Sequence, residues 1–382
     1  MDSHMDNGPE LQQMIQYVAT EFKLGTVSSI EYLTVGKVNR TYKVGILQGG
    51  VPGASEKGAK ERFFIFQNVN TYVFKRPREV MENIRRVTEH IERYNPSAMC
   101  LHYRTTTLGE PFLDMITSFW RVYDYIDSVT YNSSKDPVVV RNAGRAFGNF
   151  QRSLLNFDHT FLHHTIVDFH NTTKRFDTLE KDYAEDEPGL AGSCREEVSY
   201  VLSMREKATL LDRLAKSGEL PVRVTHNDTK INNVLFNPAT GEALCVIDLD
   251  TVMPGFTGHD FGDAVRSAAN SMGSGSLEFD KVSLDLDIFR AFAEGFLSST
   301  ADVLTPAEIS SLAGSCLVMA LELSSRYLDD YLTGNRYFKA SYPTQNLDRA
   351  RNQIALAKDM DRLMPQMEQI VREIASGHAG DR

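Results

Sequence analysis

The stretch VTHNDTKINNVLF, Val224–Phe236, places strongly polar residues between two ends that are typical of short β-strands. An unpaired polar group in an apolar interior costs about 2–7 kcal/mol. A turn that carries the carboxylate of Asp228, the ammonium of Lys230 and the amide of Asn233 is therefore expected to have a chemical role.

A second polar strand end follows in EALCVIDLDTVMPG, Glu242–Gly255, where Asp248 and Asp250 interrupt an apolar run. If the two strands pair through the turn Asn237–Gly241, Asn233 and Asp248 come close together. Amide and carboxylate oxygens are suitable ligands for Mg²⁺, which usually keeps several waters and bridges nucleotide phosphates. The pattern therefore predicts a magnesium and nucleotide site.

This residue set matches what phosphoryl transfer requires of a protein. One carboxylate accepts the proton of the acceptor hydroxyl, and the metal ligands hold the triphosphate in line. Asp228 is the expected base, and Lys230, two positions later, is expected to offset charge on the transferred group.

The pattern His226-x-Asp228-(x)4-Asn233, followed by Ile247-Asp248, resembles the catalytic and metal motifs of the aminoglycoside phosphotransferase and choline kinase superfamily, relatives of the protein kinases. Within it, segments between about residues 36 and 354 resemble the N-acetylhexosamine 1-kinases. Those segments are VTHNDTKINNVLF, VIDLDTVMPG, DFGDAVR, GRAFGNFQ, WRVYDYI and KASYPTQNLDRARNQI.

The resemblance implies ATP and Mg²⁺ as cosubstrate and cofactor, and phosphate transfer to the anomeric hydroxyl of N-acetylglucosamine or N-acetylgalactosamine. The residues it implies are Asp228 as base, Asn233 and Asp248 as metal ligands with Asp250 assisting, and Arg326 and Tyr337 as sugar contacts.

The residues expected to bind the nucleotide belong to less specific motifs than the catalytic and metal residues do. The stretch VGKVNRTYKV, Val35–Val44, is expected to fold over phosphates, yet it has one glycine where the protein-kinase loop has three. Gln67 stands near the position where many kinases place a phosphate-gripping lysine. The candidate nucleotide contacts are Gly36, Asn39, Thr41, Gln67, Tyr123, Tyr125 and Ile126.

The element pattern predicts an α+β, two-lobed layout, and the family resemblance implies that the fold is protein-kinase-like. A β-rich nucleotide-binding lobe spans residues 1–125, and a mostly helical catalytic and sugar-binding lobe spans residues 126–382. The strands are expected at about 30–35, 41–47, 62–69 and 119–128. Helices are expected at about 9–22, 77–94, 136–157, 194–217, 260–272, 285–298, 306–333 and 345–374.

Composition excludes several classes of protein. A net charge of −10 argues against a nucleic-acid or membrane-surface binder, because such binders need a basic face. Four widely spaced cysteines and the lack of a long apolar run favour a reducing, cytoplasmic location. The expected partners are a small sugar and a nucleotide, with no protein partner indicated.

Several residues have plainer explanations. Asp228 and Asn233 could be a turn-capping pair. Asp260, within DFGD, is expected to cap the helix that it begins, and His226 is expected to orient the loop. A salt bridge is the default for Arg326. The histidines at 159, 163, 164 and 170 are expected on a solvated surface rather than in a zinc site.

Two other functions stay open, and a third is disfavoured. The acceptor could be another small alcohol such as choline, homoserine or an aminoglycoside. The chain could also be a nucleotide- or sugar-binding regulator without catalysis. A protein kinase is disfavoured, because about a dozen positions between Asp248 and Asp260 are too few for an activation segment.

Overall fold

The computed structural model describes residues 8–34, 38–48 and 60–379. β-strands dominate up to Asp124 and helices dominate after it, so the predicted α+β class is confirmed. The chain divides into two compact units, Met1–Glu89 with Met99–Asp127, and His90–Ala98 with Ser128–Arg382. Gly36 and most of the glycine-rich insert lie outside the described residues.

The first unit is built on one five-stranded antiparallel sheet. Along the chain, the elements are α1 (Pro9–Glu21), β1 (Thr26–Leu33), β2 (Arg40–Gln48), β3 (Lys60–Val69), α2 (Pro77–Tyr94), β4 (Leu113–Asp114) and β5 (Phe119–Asp124). The strand order in the sheet is β1-β2-β3-β5-β4, and the last residues of α2, from His90, belong to the second unit. The predicted helix at 77–94 is confirmed. The last strand ends at Asp124, before the residue 128 that was expected.

The two faces of this sheet differ because successive strand side chains point to opposite sides. One face packs against α1 through an apolar cluster that includes Ile15, Tyr42, Phe66 and Trp120. Trp120, the single tryptophan of the chain, is a core residue with 2% of its surface exposed. The opposite face carries the odd-numbered residues of β2, β3 and β5.

The second unit is mainly helical and contains two short β-ladders. Its elements are α3 (Pro137–Ser153), α4 (Thr172–Glu185), α5 (Arg195–Ser203), α6 (Arg205–Ala208), α7 (Leu210–Lys216), β6 (Arg223–Thr225), β7 (Val234–Phe236), β8 (Ala243–Val246), β9 (Met253–Gly255), α8 (Thr257–Ala268), α9 (Leu286–Thr300), α10 (Pro306–Leu332) and α11 (Gln345–Ala379). β6 pairs with β9, and β7 pairs with β8.

Helix α10 runs through the core of this unit. Thr305 and Glu308 form a reciprocal capping box at its start, which satisfies N–H groups of the first turn. By length and composition alone, α10 could cross a membrane, but most of its apolar window is buried within the protein. It is therefore a core helix in this structure.

Helices α3 and α9 approach closely through glycines. A Cβ atom at Gly295 would lie 1.9 Å from the carbonyl oxygen of Arg141, and one at Gly144 would lie 2.4 Å from that of Phe292. Any larger residue would push the helices apart. This contact fixes α3, whose last turn reaches the polar loop described below.

In the second unit, the structure corrects three of the helix predictions. The single helix expected over 194–217 is three short helices, α5 to α7. Helix α4 was not predicted, because it buries only a narrow stripe that includes Phe176 and Leu179 among charged residues. Helix α8 begins at Thr257 rather than at Asp260.

Candidate active site

The polar loop at 226–233 lies between the two β-ladders of the second unit. β6 leads into it and pairs with β9, and β7 leaves it and pairs with β8. The ladders fix both ends of the loop, so its side chains are held by a short and rigid connection.

Asp228 is partly buried at the centre of this loop, with 27% of its side chain exposed. The Asn233 amide nitrogen donates to the Asp228 backbone carbonyl at 2.7 Å and to Oδ2 at 3.1 Å. The Nζ of Lys230 lies 2.5 Å from the other carboxylate oxygen. The nearby Asp228 carboxylate raises the pKa of Lys230 to about 12, so the ammonium stays charged.

The hairpin of β7 and β8 brings the predicted metal ligands together. Val234 pairs with Val246, and the N–H of Ile247 donates to the carbonyl of Asn233 at 2.9 Å. Asp248 follows directly and has a left-handed backbone with φ of 60°. The predicted pairing of these strands is therefore confirmed.

The donor set suits a hard cation. Because the amide nitrogen of Asn233 is committed to Asp228, its Oδ1 is the atom left to accept a ligand. Asp248 and the buried Asp250 add carboxylates. Across residues 8–34, 38–48 and 60–379, no three His, Cys, Asp or Glu side chains form a metal cluster. The residues thus fit Mg²⁺ completed by phosphate and water oxygens rather than zinc.

Asp260 does not cap its own helix, so that prediction is wrong. It lies in the first turn of α8, and its carboxylate accepts the backbone N–H groups of His226 at 2.9 Å and Asn227 at 2.7 Å. The Gln151 amide donates to the same carboxylate at 2.6 Å. Burial raises the pKa of Asp260. The helix therefore holds the loop that presents Asp228.

His226 orients the loop, as predicted. Its Nδ1 accepts the N–H of Asp228 at 3.2 Å, so its Nε2 carries the proton that is donated to the carbonyl of Ile247 at 2.9 Å. Its ring packs edge-on against Phe147 and Phe150. His226 thus joins the Asp228 loop to the strand end that carries Asp248.

The side chain of His170 is only 7% exposed and does not lie on a solvated surface, which corrects the sequence prediction. Its Nδ1 lies 2.8 Å from Glu322 on α10, and its Nε2 lies 3.4 Å from the carbonyl of Asn227. Burial acts to raise the pKa of Glu322, but the charge and hydrogen bond of His170, with Thr172 and Arg326, hold it at about 2. No sequence pattern links His170 with Glu322.

Arg326 lies one helical turn after Glu322 and is surrounded by aromatic rings. Its guanidinium carbon lies 5.3 Å from the ring centroid of Phe169, 5.4 Å from that of Phe338 and 5.8 Å from that of Tyr337. Its default expectation was a salt bridge, and the described part of the chain shows none for it. The two predicted sugar contacts, Arg326 and Tyr337, are therefore neighbours.

The candidate nucleotide residues lie in the first unit. Gln67 donates to the Thr41 hydroxyl at 3.1 Å, and Asn39 accepts the N–H of Asn70 at 3.0 Å. Gly36 is outside the described residues.

The end of β5 carries the other candidates. Tyr123 is buried in β5, and Ile126 follows the strand. The N–H of Tyr125 donates to the carbonyl of Phe63 at 3.2 Å, so the sheet already uses this group. The backbone N–H of Tyr125 is therefore not available to a nucleotide, and nucleotide binding by Tyr123, Tyr125 and Ile126 stays a prediction.

Arg121 was not predicted as a site residue. It lies on β5, next to Gln67 on the neighbouring strand β3. Its Nε donates to Gln67 Oε1 at 2.9 Å. Its side chain is buried, with 1% exposed. Its role could have been suspected from the sequence, because it is a charged residue within the apolar strand FWRVYD.

Comparisons with known proteins agree with this arrangement. The sequence pattern of the phosphotransferase enzyme family, APH, matches residues 55–282, which is more than half of the chain. Among solved structures, a microcompartment-associated aminopropanol kinase superposes with a TM-score of 0.62 at 16% identity, covering 93% of this chain and 98% of that one.

Two further structures share the fold. An aminoglycoside phosphotransferase from Alicyclobacillus acidocaldarius superposes with a TM-score of 0.60 at 14% identity, covering 94% of this chain and 96% of that one. A spectinomycin phosphotransferase in complex with ADP and spectinomycin gives 0.58 at 11% identity, covering 92% and 98%. This chain belongs to the APH phosphotransferase enzyme family and is a small-molecule phosphotransferase with a kinase-like fold.

Proposed function

We propose that this protein is a kinase that transfers the γ-phosphoryl group of ATP to the anomeric hydroxyl of N-acetylhexosamines, giving the sugar 1-phosphate. The observation that carries the proposal is the connection between the loop of Asp228 and the acceptor candidates. His170 links Asn227 in that loop to Glu322, and Arg326 follows one turn later on the same helix.

In this reaction, Asp228 is the catalytic base. Its carboxylate accepts the proton of the anomeric hydroxyl, whose oxygen forms the new bond to phosphorus while the bond to the β–γ bridging oxygen of ATP breaks. Lys230, which stays charged beside Asp228, then stabilises the phosphoryl oxygens.

Asn233 and Asp248 would hold Mg²⁺, with Asp250 assisting. When bound, the ion neutralises charge on the phosphate oxygens. Asn233 also has a second role. Its amide nitrogen donates hydrogen bonds to Asp228 and so positions the base.

The acceptor region favours a neutral sugar over a cationic alcohol. Arg326 and the neighbouring Arg175 bring positive charge, and burial followed by the charge of Arg326 lowers the pKa of Arg175. A guanidinium donates to sugar hydroxyls and to an acetamido carbonyl, whereas it repels choline or an aminoglycoside. The exposed ring of Tyr337 offers an apolar face to a pyranose.

The test is ADP release from ATP and Mg²⁺ across a panel of acceptors: N-acetylglucosamine, N-acetylgalactosamine, glucose, galactose, choline, homoserine and kanamycin. Phosphorus NMR of the product then distinguishes an anomeric ester from a 6-phosphate. We expect turnover mainly with the two N-acetylhexosamines and an anomeric ester.

Asp228→Asn is expected to lower kcat by about 10²–10⁴-fold while ATP still binds. Asp280→Asn, at an exposed position away from the loop, is the matched control. Turnover with choline or kanamycin but with neither hexosamine would refute the proposed acceptor. Absence of turnover with every acceptor, despite ATP binding, would favour a non-catalytic regulator.

A further inference from the structure

A polar ladder crosses three strands of the first unit. Thr41 on β2 pairs with Gln67 on β3, which pairs with Arg121 on β5. Arg121 Nε donates to Gln67 Oε1 at 2.9 Å, and Gln67 Nε2 donates to Thr41 Oγ1 at 3.1 Å. These side chains lie on the sheet face opposite the one that packs against α1.

The direction of each hydrogen bond in the ladder is forced. A guanidinium has only donors, so Gln67 must turn its oxygen toward Arg121. Its NH₂ group then faces Thr41, whose oxygen must accept. Within the part of the chain that the structure describes, the Thr41 hydroxyl accepts this bond and donates none. The hydroxyl hydrogen is thus directed away from Gln67.

Arg121 brings a permanent positive charge to the start of the ladder, because a guanidinium stays protonated in proteins. Its side chain is 1% exposed, with the Met81 sulfur 3.8 Å from Nη1 and the Tyr103 ring centroid 5.7 Å from its guanidinium carbon. In such a low-dielectric site, successive hydrogen bonds polarise one another. The Gln67 amide and the Thr41 hydroxyl therefore become stronger donors.

We propose that the Thr41 hydroxyl binds a phosphate oxygen of the nucleotide, and that Gln67 and Arg121 are positioning residues that orient and polarise it. This inference rests on the proposed kinase function. It explains how the chain does without a lysine at position 67: the positive charge sits one strand further away and acts through an amide and a hydroxyl.

The place of Thr41 favours a phosphate as its acceptor. It is the second residue of β2 and lies within the stretch Val35–Val44 that was expected to fold over phosphates. An oriented O–H donor suits an anionic oxygen. Further along the same face, Lys43 Nζ lies 4.0 Å from the ring centroid of Tyr125, another candidate nucleotide contact.

The test is calorimetric binding of ATP, ADP and adenosine to full-length variants. Thr41→Val keeps the shape and removes the hydroxyl, and we expect about tenfold weaker ATP and ADP binding with unchanged adenosine binding. Thr41→Ser restores the donor and should restore binding. Thr106→Val is the matched control, since Thr106 is also buried and accepts one backbone N–H, that of Glu110.

Gln67→Glu reverses the hydrogen bond between positions 67 and 41. A carboxylate accepts from both Arg121 and Thr41, so the Thr41 hydroxyl must donate to it. We expect it to weaken ATP binding while the unfolding temperature stays the same or rises, a combination that loss of structure cannot produce. In the double variant with Thr41→Val, little further loss is expected, since both changes remove the same hydroxyl donor.

The outcomes separate this inference from the proposed function. If the unmodified protein binds ATP and Thr41→Val binds it within twofold, the ladder has no role in phosphate binding. Equal loss of ATP and adenosine binding, or fully additive losses in the double variant, would also overturn the inference. If the unmodified protein binds no ATP, the kinase proposal itself fails.

Discussion

The carboxylate of Asp260 lies 2.7 Å from the backbone nitrogen of Asn227, the residue directly before Asp228. Asn227 has a left-handed backbone with φ of 64°, a conformation that is unfavourable for most side chains. Asn tolerates this conformation better than most residues, and Asp260 holds Asn227 in it, so Asp260 determines where Asp228 points.

Asp260→Asn should lower kcat more than it changes the ATP KM. An amide has one oxygen where the carboxylate offers two, so either the His226 or the Asn227 N–H is left buried without an acceptor. We expect the free energy of unfolding to fall by about 1–3 kcal/mol and kcat to fall at least tenfold. Steady-state kinetics and denaturant unfolding measure both. Asp287→Asn, exposed in the first turn of α9, is the control. Unchanged kcat would show that Asp260 does not position the loop.

The proximity of Asn233 and Asp248 could be predicted from the sequence, because it depends on residues that are close along the chain. The strand ends, the turn and the polar residues of Val224–Phe236 and Glu242–Gly255 are close in sequence, so pairing alone brings Asn233 and Asp248 together. The α+β class was predicted from local strand and helix patterns, whereas the kinase-like fold was implied by the family resemblance, and solved structures with the same fold confirm both.

Contacts distant in sequence were not predictable. His170 and Glu322 are 152 positions apart, and their pairing depends on how α10 packs against the loop. Asp260 looked like a helix cap because the start of α8 was placed three residues too late. The sequence shows Arg121 only as a charged residue within an apolar strand, and the register of β3 and β5 is what places it beside Gln67.

Lys230→Met should impair chemistry more than nucleotide binding. The ammonium lies 2.5 Å from Asp228, and its raised pKa of about 12 keeps it charged at neutral pH. We expect kcat to fall by about 10²-fold or more, with ATP affinity changed by less than tenfold. Lys281→Met, which removes an exposed lysine paired with Glu278, is the matched control. A larger change in ATP affinity than in kcat would place Lys230 in ground-state binding instead.

Glu322→Gln should weaken the link between the acceptor region and the loop. It replaces a buried carboxylate that is hydrogen-bonded to His170 and Thr172, and weakening these bonds costs about 1–3 kcal/mol. We expect a higher acceptor KM with a nearly unchanged ATP KM, because Arg326 lies one turn away. Glu294→Gln, which breaks a partly exposed pair with Arg141, controls for loss of an ion pair.

The pH dependence gives a second check on Glu322. Its pKa of about 2 in the folded protein lies below the ordinary value of 4.5, so its stabilising effect is complete above pH 4.5 and is lost as the pH falls toward 2. The stability gap between the original protein and Glu322→Gln should therefore narrow from pH 5 to pH 3. A gap that is constant across this range would contradict the assignment.

Asp329→Asn should stabilise the protein at alkaline pH. Burial, followed by a hydrogen bond and charge repulsion from Asp182, raises the pKa of Asp329 from 3.8 to about 7, although Arg175 opposes the shift and Asp330 adds to it. The folded state thus keeps a proton that the unfolded state releases, and stability from this group is lost as the pH rises from about 4 to 7. An amide mimics the protonated acid at every pH.

We therefore expect Asp329→Asn and the original protein to have similar unfolding free energies at pH 4. At pH 8 the variant should be more stable by about 1–2 kcal/mol, after allowance for solvent screening of a partly exposed group. Asp182→Asn is the informative companion, because removing that neighbour should lower the pKa of Asp329 and flatten the same pH profile. Urea unfolding at several pH values measures each curve. A variant that is equally stable relative to the original protein at pH 4 and pH 8 would mean that the two carboxyls do not share a proton.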